Sequence, residues 1–389
     1  MKKVRIIADD HVACTISLAK AFILSGCHVQ YVYVTATASL NNLEGINIKA
    51  TLKYGVNDLT EHLKGYIDDK SFTFIVYRYP RPFESVKFIN KIANVFIKIH
   101  SYLYRKFWEE KFDLINVVGR YSSNMYIYLM DYFPIDKTLY SIHEVYNHFT
   151  KQIPDHPFIN KLISNNYKII LHSQNSIFDW NYCFREYKSK IYNVNFGKCD
   201  SYNVCIQNPV VDENGYILFF GFFKAYKGLN NILEMLKKYE GSRSFRFVIA
   251  GAGTLPEVDD LSNFDNVCII NRYITNNELA SLISNCRVVI CPYNTVSQSG
   301  VVQTAYAFNK PVIAPNLLAF EEVIKNDITG LLYESGNVED MYNKLIAIYE
   351  NNELYDVMRY NISNLDIVLP EYSWSKIVEQ YKYIVDVQG

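Results

Sequence analysis

The segment Ile217–Leu229 has the sequence ILFFGFFKAYKGL and contains the clearest fold signal in the chain. Its first four residues form a continuous apolar run that is typical of a buried strand, and this run ends at Gly221. Helical spacing then begins, with apolar residues at Leu229, Ile232, Leu233 and Leu236. A strand, a short loop and a helix form the repeating unit of a parallel α/β sheet.

The same rhythm continues on both sides of this segment. Alternation predicts strands in the first half at Val4–Ala8, His28–Val34, Phe72–Tyr77, Leu114–Val118, Thr138–His143, Ile169–His172 and Ile191–Val194. It predicts strands in the second half at Ile217–Phe220, Phe245–Ala250, Val267–Ile270, Val288–Cys291, Val312–Ala314 and Gly330–Tyr333. Between the halves, Cys205–Tyr216 is rich in Asn, Asp, Pro and Gly, which indicates a linker.

These patterns predict an α/β protein with two Rossmann-like domains, residues 1–205 and residues 206–371, each built on a parallel sheet. A further helix is expected at about 372–389, with its clearest pattern at Ser373–Val385. Pattern alone leaves two places for this helix: it packs back on the N-terminal domain, or it caps the domain that precedes it.

Composition excludes several classes of protein. The chain has 389 residues, of which 49% are hydrophobic and 20% charged, as expected for a globular protein. The net charge of −1 argues against a nucleic-acid partner. The eight cysteines form no C-x-x-C pair, so no zinc site is expected, and Cys268 and Cys291 are predicted to be small buried residues of a protein in a reducing compartment. Neither a signal-peptide pattern nor an apolar run of about 18 residues is present.

Three loops carry candidate ligand-binding residues. Lys224 and Lys227 precede the helix start at Leu229, where two amines and the positive end of a helix dipole would suit a diphosphate. Gly251 and Gly253 follow a strand, where a ligand could approach the backbone closely. The segment Ser297–Val301 leads into another helix, whose amides could hold phosphate or hydroxyl groups. The structural alternatives are solvated lysines, a plain tight turn and an N-capping serine.

Taken together and in order, these pieces resemble the donor-binding domain of glycosyltransferase family 4. The matching parts are Gly221 to Leu229, Ala250 to Gly253, Val288 to Tyr293, Ala305 to Ile313, and Glu322 to Leu332. The resemblance covers about a third of the chain, and it is looser at Phe112–Ile115, Ser141–Glu144 and Leu171–Ser173. It implies the GT-B architecture, in which two Rossmann-like domains face each other across a cleft, and a retaining transfer of sugar from a nucleotide diphosphate.

The resemblance also assigns roles to individual residues. Lys227 matches the lysine that contacts the donor diphosphate, and Lys224 occupies the place where a partner arginine often stands. His143 matches a histidine of the N-terminal domain that faces the donor sugar and diphosphate. These roles make Lys227 and His143 the expected catalytic residues. The implied donor-binding set is Gly221, Lys224, Lys227, Gly251, Gly253, Arg272, Tyr273, Gln298, Ser299, Gly300, Val301 and Thr304.

The chain departs from the family pattern at several positions. Val296 and Thr304 occupy places where the family often has two glutamates, and Asp9-Asp10-His11 replaces an N-terminal glycine-rich loop. Leu318-Ala319 replaces a glycine pair. No D-x-D sequence is present, so we expect neither a metal nor another cofactor besides the UDP- or GDP-linked donor, which is a substrate.

Residues 81–111 predict a basic amphipathic surface with a net charge of +4. Lys91, Lys98 and Arg105 recur every seven residues, beside an apolar stripe of Phe88, Ile92, Val95, Ile99 and Tyr102. Such a helix either lies on an anionic membrane or packs its apolar stripe into the core and leaves its basic face in water.

The sequence therefore predicts a glycosyltransferase that transfers a sugar to a glycan or lipid-linked acceptor in surface polysaccharide or glycolipid assembly. Its expected location is cytoplasmic, at the inner face of the membrane if the basic helix docks there. Two alternatives remain open. The first is an inactive partner protein that binds sugar nucleotides, which is indicated by Val296 and Thr304 because neither supplies a carboxylate. The second is a GT-B-like sugar-nucleotide epimerase.

Overall fold

A computed structural model gives the structure of the protein. It describes residues 2–40, 48–80, 87–119, 124–143, 145, 157–185, 190–201, 215–239, 245–254, 256–296 and 299–386, with only the backbone of 87–93, 124 and 256. The chain divides into a first unit, Met1–Gly197 with Trp374–Gly389, and a second unit, Lys198–Ser373.

The described strands, in chain order, are β1 Lys3–Ala8, β2 His28–Thr35, β3 Ser39–Leu40, β4 Ala50–Thr51, β5 Gly55–Asp58, β6 Phe72–Arg78, β7 Leu114–Val118, β8 Thr138–Ile142, β9 Lys168–Leu171, β10 Lys190–Asn193, β11 Ile217–Phe220, β12 Phe247–Gly251, β13 Val267–Asn271, β14 Val288–Ile290, β15 Val312–Pro315 and β16 Gly330–Tyr333.

The described α-helices are α1 Val12–Leu24, α2 Lys87–Leu103, α3 Arg105–Trp108, α4 Asn124–Leu129, α5 Pro157–Ser164, α6 Gln174–Cys183, α7 Leu229–Lys238, α8 Pro256–Leu261, α9 Asn276–Asn285, α10 Gly300–Ala307, α11 Leu318–Glu321, α12 Val338–Glu350, α13 Asn352–Ser363, α14 Leu365–Val368 and α15 Trp374–Asp386. Short 3-10 turns lie at Thr60–Leu63, Met130–Tyr132, Ile135–Lys137, Ala225–Lys227 and Pro370–Tyr372.

The first unit is built on an eight-stranded sheet in the order β10-β9-β8-β7-β1-β2-β6-β5. Its central strands are apolar on both faces because each face packs against helices. In β1, for example, Val4 and Ile6 belong to the core layer shared with α1 and α15, whereas Ile7 belongs to the opposite layer. The strands are parallel except β5, which runs antiparallel to β6.

The second unit has a six-stranded, fully parallel sheet in the order β13-β12-β11-β14-β15-β16. Helix α7 buries Leu229, Ile232 and Leu233 against it, as the helical spacing predicted. The α/β fold with two parallel sheets is therefore confirmed, and every strand predicted above is present within two residues of its expected ends.

Several details differ from the sequence predictions. Strand β5 was not expected, and it is antiparallel; Asn57 holds it by donating to the backbone oxygens of Lys53, Gly55 and Val76. Cys268 is exposed because β13 is an edge strand, so the prediction that it is buried was wrong, whereas Cys291 is buried. The first unit ends at Gly197 and not at 205, and most of the predicted linker lies outside the described residues.

Helix α15 packs with the first unit. Its apolar face, which includes Ile377, Val378 and Tyr381, joins the core layer that contains α1. The close approach of Trp374 to Gly197 leaves no room for a side chain there, since a Cβ on Gly197 would lie 2.6 Å from the Trp374 ring. The buried Lys168 Nζ donates to the carbonyl oxygens of Ile384 at 2.6 Å and Val385 at 3.1 Å.

We expect Lys168→Met to lower the free energy of unfolding of the first unit by about 1–3 kcal/mol, because it removes two hydrogen bonds from a charged donor. Urea denaturation and hydrogen exchange of the α15 amides measure this effect. The control is Lys376→Met, which removes an exposed amine of α15 itself. It should change the free energy of unfolding by less than about 0.5 kcal/mol. Equal effects of the two substitutions would contradict the role given to Lys168.

Candidate functional site

The order of the second sheet identifies where a ligand would bind. Strand β11 has β12 on one side and β14 on the other, so the chain changes direction across the sheet at this point. Crevices that bind ligands in open parallel sheets lie at the carboxyl ends of the strands flanking such a point. The loops that meet here follow β11 and β14, and both contain residues predicted for donor binding.

Two glycines with positive φ angles shape the loop after β11. Gly221 has φ +115°, and Gly228, which precedes α7, has φ +72°. A Cβ on Gly228 would lie 1.8 Å from the carbonyl oxygen of Pro292, so only glycine fits where this loop crosses the loop after β14. Between the two glycines the 3-10 turn Ala225–Lys227 directs Lys227 back towards the strand end.

Lys227 is the central cation of this site. Its half-buried amine lies 2.7 Å from the position of a Cβ built on Gly221, and 5.6 Å from the centre of the Tyr293 ring. Burial lowers the pKa of Lys227, the Cys291 thiol raises it, and the nearby Lys224 amine lowers it. Across the part of the chain that the structure describes, Lys227 Nζ makes no ion pair, which is the state expected of a group that binds an external anion.

An asparagine pair holds the two loops together. Asn231 Nδ2 donates to the carbonyl oxygen of Pro292 at 2.8 Å and to Asn294 Oδ1 at 2.9 Å. The Asn294 backbone N–H donates to the Tyr226 carbonyl at 2.8 Å. Sequence reasoning missed both asparagines. Their signal was an asparagine in the first turn of α7 and another just after Cys291-Pro292-Tyr293.

Gly251 and Gly253 have a different role from the predicted approach of a ligand. A Cβ on Gly251 would lie 1.9 Å from the carbonyl oxygen of Gly221, and one on Gly253 would lie 2.7 Å from that of Phe223. The group that comes close to these glycines is therefore the loop after β11. Gly251 and Gly253 thus allow the loop that contains Lys227 to pack against the end of β12.

Helix α10 follows the loop after β14. Ser299 stands at its N-cap position without a side-chain capping bond, so the N-capping interpretation was wrong. Ser299 lies beside Tyr293: burial raises the pKa of Tyr293 well above its usual range, and Ser299 partly lowers it. Thr304 is buried, and its hydroxyl donates to the Gly300 carbonyl oxygen at 2.8 Å. Val301 is half-buried against the core, and Gln298 and Ser297 lie outside the described residues.

Known proteins are similar to this chain over part or all of its length. Residues 214–351 match the family described as Glycosyl transferases group 1. A glycosyltransferase of Methanocaldococcus jannaschii, itself uncharacterized, is 26% identical over 183 residues, which are 46% of this chain and 50% of that protein. The chain thus matches about half the length of this curated relative, and less of the others.

Solved structures match the whole chain. A glycosyltransferase from Rickettsia africae has a TM-score of 0.66 at 17% identity, covering 100% of this chain and 99% of that one. The Anabaena protein HepE in complex with UDP-glucose has a TM-score of 0.62 at 13% identity, covering 98% and 99%. The chain has the GT-B glycosyltransferase fold. The matched residues 214–351 are called the group 1 region below.

Directly after the edge strand β13 of the group 1 region, the Arg272 side chain forms an ion pair within the protein. It pairs with Glu278, at 3.0 Å between Arg272 Nη1 and Glu278 Oε2, and this arginine holds the pKa of Glu278 at about 2. Glu278 also completes the capping box of α9 with Thr275. The Arg272 backbone N–H donates to the Gly251 carbonyl at 2.7 Å, and Tyr273 is exposed.

The structure therefore brings together, within the group 1 region of the GT-B fold, Gly221, Lys224 and Lys227 with the end of β14. The Arg272 side chain, which was also predicted to bind the donor, pairs with Glu278. His143 belongs to the first unit, where it is buried at the end of β8 and stacks on His11 with ring centres 3.8 Å apart. Burial, with His11 and His172, lowers the pKa of His143 well below its usual range, so the ring is neutral at pH 7.

We expect Gly228→Ala to lower the free energy of unfolding by about 2–4 kcal/mol, since it adds left-handed backbone strain and a clash with the Pro292 carbonyl. Chemical denaturation of the purified protein tests this. The matched control is Gly300→Ala, whose Cβ would meet nothing within 4 Å and should change stability by less than about 0.5 kcal/mol. Wild-type stability of Gly228→Ala would contradict the loop crossing described here.

Proposed function

We propose that the protein is a glycosyltransferase that moves a sugar from a nucleoside-diphosphate donor to a glycan or lipid-linked acceptor. The observation that carries this proposal is the half-buried Lys227 amine, which has no ion-pair partner among the described residues, at the point where the second sheet changes direction. The match to a glycosyl transferase family and the bound UDP-glucose of HepE support the same class of donor.

The chemistry follows from charge. As the bond between sugar and diphosphate breaks, negative charge grows on the leaving phosphate oxygens, and fixed positive groups stabilise the transition state more than the bound substrate. Lys227 supplies one charge, the exposed Lys224 a second, and the start of α7 a partial one. Since the sequence has no D-x-D, the proposal includes no metal or other cofactor.

Three finer points are part of the proposal. The transfer is retaining and the chain belongs with glycosyltransferase family 4, as the motif order suggests. His143, a neutral imidazole, faces the donor sugar and diphosphate. The product belongs to surface polysaccharide or glycolipid assembly on the cytoplasmic side.

Lys227→Ala should reduce turnover by about two to three orders of magnitude, the usual effect of removing one well-aimed donor from a developing anion. Turnover is measured with labelled UDP- and GDP-sugars, and donor binding by the shift in melting temperature with UDP and GDP. The matched control is Lys237→Ala, an exposed amine of α7 paired with Asp260, which should leave both unchanged. Near-wild-type turnover of Lys227→Ala would remove this lysine from the mechanism.

The same measurement addresses a second candidate, a partner protein that binds sugar nucleotides without transferring sugar. It is favoured by Thr304, whose hydroxyl is committed to the Gly300 carbonyl, and by Val296, which packs against the core. Binding of UDP or GDP without transfer or donor hydrolysis would support this candidate. An epimerised donor among the products would support the third, a sugar-nucleotide epimerase.

We further propose that α2 and α3 dock on an anionic membrane. Val95, Phe96, Ile99, Tyr102 and Leu103 are exposed on α2, with Phe96 58% and Leu103 70% exposed. Of the predicted apolar stripe, Val95, Ile99 and Tyr102 thus face outwards, which contradicts the core-facing alternative for these residues. Among the α2 side chains that the structure describes, Ile97 and Ser101 are the buried ones. Lys98, Arg105 and Lys106 are exposed nearby, although α2 ends at Leu103, so Arg105 begins a separate helix.

This surface has the composition that anionic bilayers attract, because each nearby Lys or Arg contributes about 1 kcal/mol and the apolar side chains enter the interface. The side chains of Phe88, Lys91 and Ile92 lie outside the described set. Within the residues that the structure covers, none of the helices is both long and apolar enough to span a bilayer.

Phe96→Ser combined with Ile99→Ser should weaken binding to vesicles of phosphatidylcholine and phosphatidylglycerol at least tenfold at low salt, without loss of stability, as both side chains are exposed. Co-sedimentation measures the bound fraction. Leu24→Ser, at an exposed apolar residue of α1, serves as the control. Unchanged binding of the double variant, or no binding of the wild type, would count against a membrane-docking surface.

A further inference from the structure

The short turn that carries Lys227 is bonded through its backbone to the loop after β14. The Asn294 N–H donates to the Tyr226 carbonyl oxygen at 2.8 Å, and Asn294 Nδ2 donates to the Ala225 carbonyl oxygen at 3.4 Å. Ala225 and Tyr226 are the two residues that precede Lys227 in its 3-10 turn. Asn294 therefore sets the path of the chain directly before the lysine.

A second asparagine holds Asn294 in place. Asn231 lies in the first turn of α7, and its Nδ2 donates to the Pro292 carbonyl oxygen at 2.8 Å and to Asn294 Oδ1 at 2.9 Å. An amide nitrogen has two N–H donors, so these bonds use both of them. The Asn231 side chain is half-buried, and its Oδ1 accepts from Asn230 Nδ2 at 3.0 Å. Asn231 can therefore act on a ligand only through the residues that it holds.

The Lys227 amine depends on this backbone support because few other contacts fix its position. Its Nζ makes neither a hydrogen bond nor an ion pair with any residue that the structure describes. The ring of Tyr293, whose centre lies 5.6 Å from Nζ, is close enough for a cation–π contact. Tyr293 precedes Asn294 in the loop after β14, so this loop supplies both the ring beside the amine and the bonds to the turn.

We propose that Asn231 is a positioning residue for Lys227, which acts through Asn294 to hold the Ala225–Lys227 turn and so keep the amine at the end of β11. Without the Asn231 amide, Asn294 loses its bond to α7, and the turn is released from the loop after β14. A cation stabilises a developing anion only if it is already in place, so a displaced amine would bind a diphosphate less well. This effect on the donor rests on the proposed function, whereas the position of the amine does not.

The pKa of Lys227 reports the position of the amine in the ligand-free protein. Burial lowers this pKa, the Cys291 thiol raises it, and the Lys224 amine lowers it. An amine that leaves its half-buried place regains contact with water, so its pKa rises towards the ordinary value of an exposed lysine. The change is visible without any substrate.

The experiment measures the pKa of Lys227 by NMR of isotope-labelled lysine side chains, with the signal assigned by its loss in Lys227→Arg. The variants are Asn231→Ala and Asn294→Ala. The matched control is Asn361→Ala, which removes a bond of the same kind in the same unit, from Asn361 Nδ2 to the Ile328 carbonyl oxygen at 3.1 Å. Calorimetry with UDP and GDP measures nucleotide affinity for each variant.

Asn231→Ala and Asn294→Ala should each raise the pKa of Lys227, and Asn361→Ala should leave it at the wild-type value. The double variant should raise it no further than Asn231→Ala, because the two side chains act in one series of contacts. The affinity of Asn231→Ala for the nucleotide that binds should fall at least about tenfold, as expected when a hydrogen bond to a charged group is lost.

A wild-type pKa of Lys227 in the folded Asn231→Ala protein would overturn the inference. If that variant does not fold, Asn294→Ala gives the same test, since its side chain is exposed. A raised pKa with unchanged nucleotide affinity would refute the effect of Asn231 on the donor. Failure of the wild type to bind UDP and GDP would refute the proposed donor site, and the NMR measurement would still decide whether Asn231 positions the amine.

Discussion

The half-buried ammonium group of Lys227, which has no ion-pair partner among the residues that the structure describes, is the constraint that shapes the site of the second unit. The glycines at 221, 228 and 251 allow the loops after β11, β12 and β14 to approach so closely that the Lys227 amine is held against the end of β11. The asparagines at 231 and 294 fix that approach with hydrogen bonds. Burial without a counter-ion is costly for a lysine, and an anion bound beside the amine would offset this cost.

The two units share a topological plan but carry opposite chemistry where their sheets reverse. The second unit presents amines and a helix start, which suit a diphosphate. The first presents carboxylates and neutral imidazoles, which suit hydroxyl groups. The two strand ends therefore favour different chemical groups. Glycine marks both places, at Gly221 after β11 and at Gly119 after β7.

Sequence patterns predicted the succession of strands and helices along the chain and the loop that contains Lys227, because apolar runs and helical spacing are local properties. They missed what depends on distant partners. Nothing near Cys268 indicates that its strand lies at the sheet edge, and nothing near Arg272 reveals that its side chain pairs with Glu278. The stack of His11 on His143 joins residues far apart in the chain, and only the sheet order brings them together.

Because α15 packs with the first unit, the order in which the two units can fold during synthesis is affected. The core layer beneath α1 needs Ile377, Tyr381 and Ile384, which are translated after the whole second unit. The second unit is continuous in sequence, so it can complete its core while the first still exposes apolar surface. Synthesis therefore reverses the usual order in which the earlier domain folds first. During that interval the face of the first sheet awaiting α15 is the surface that a chaperone would protect.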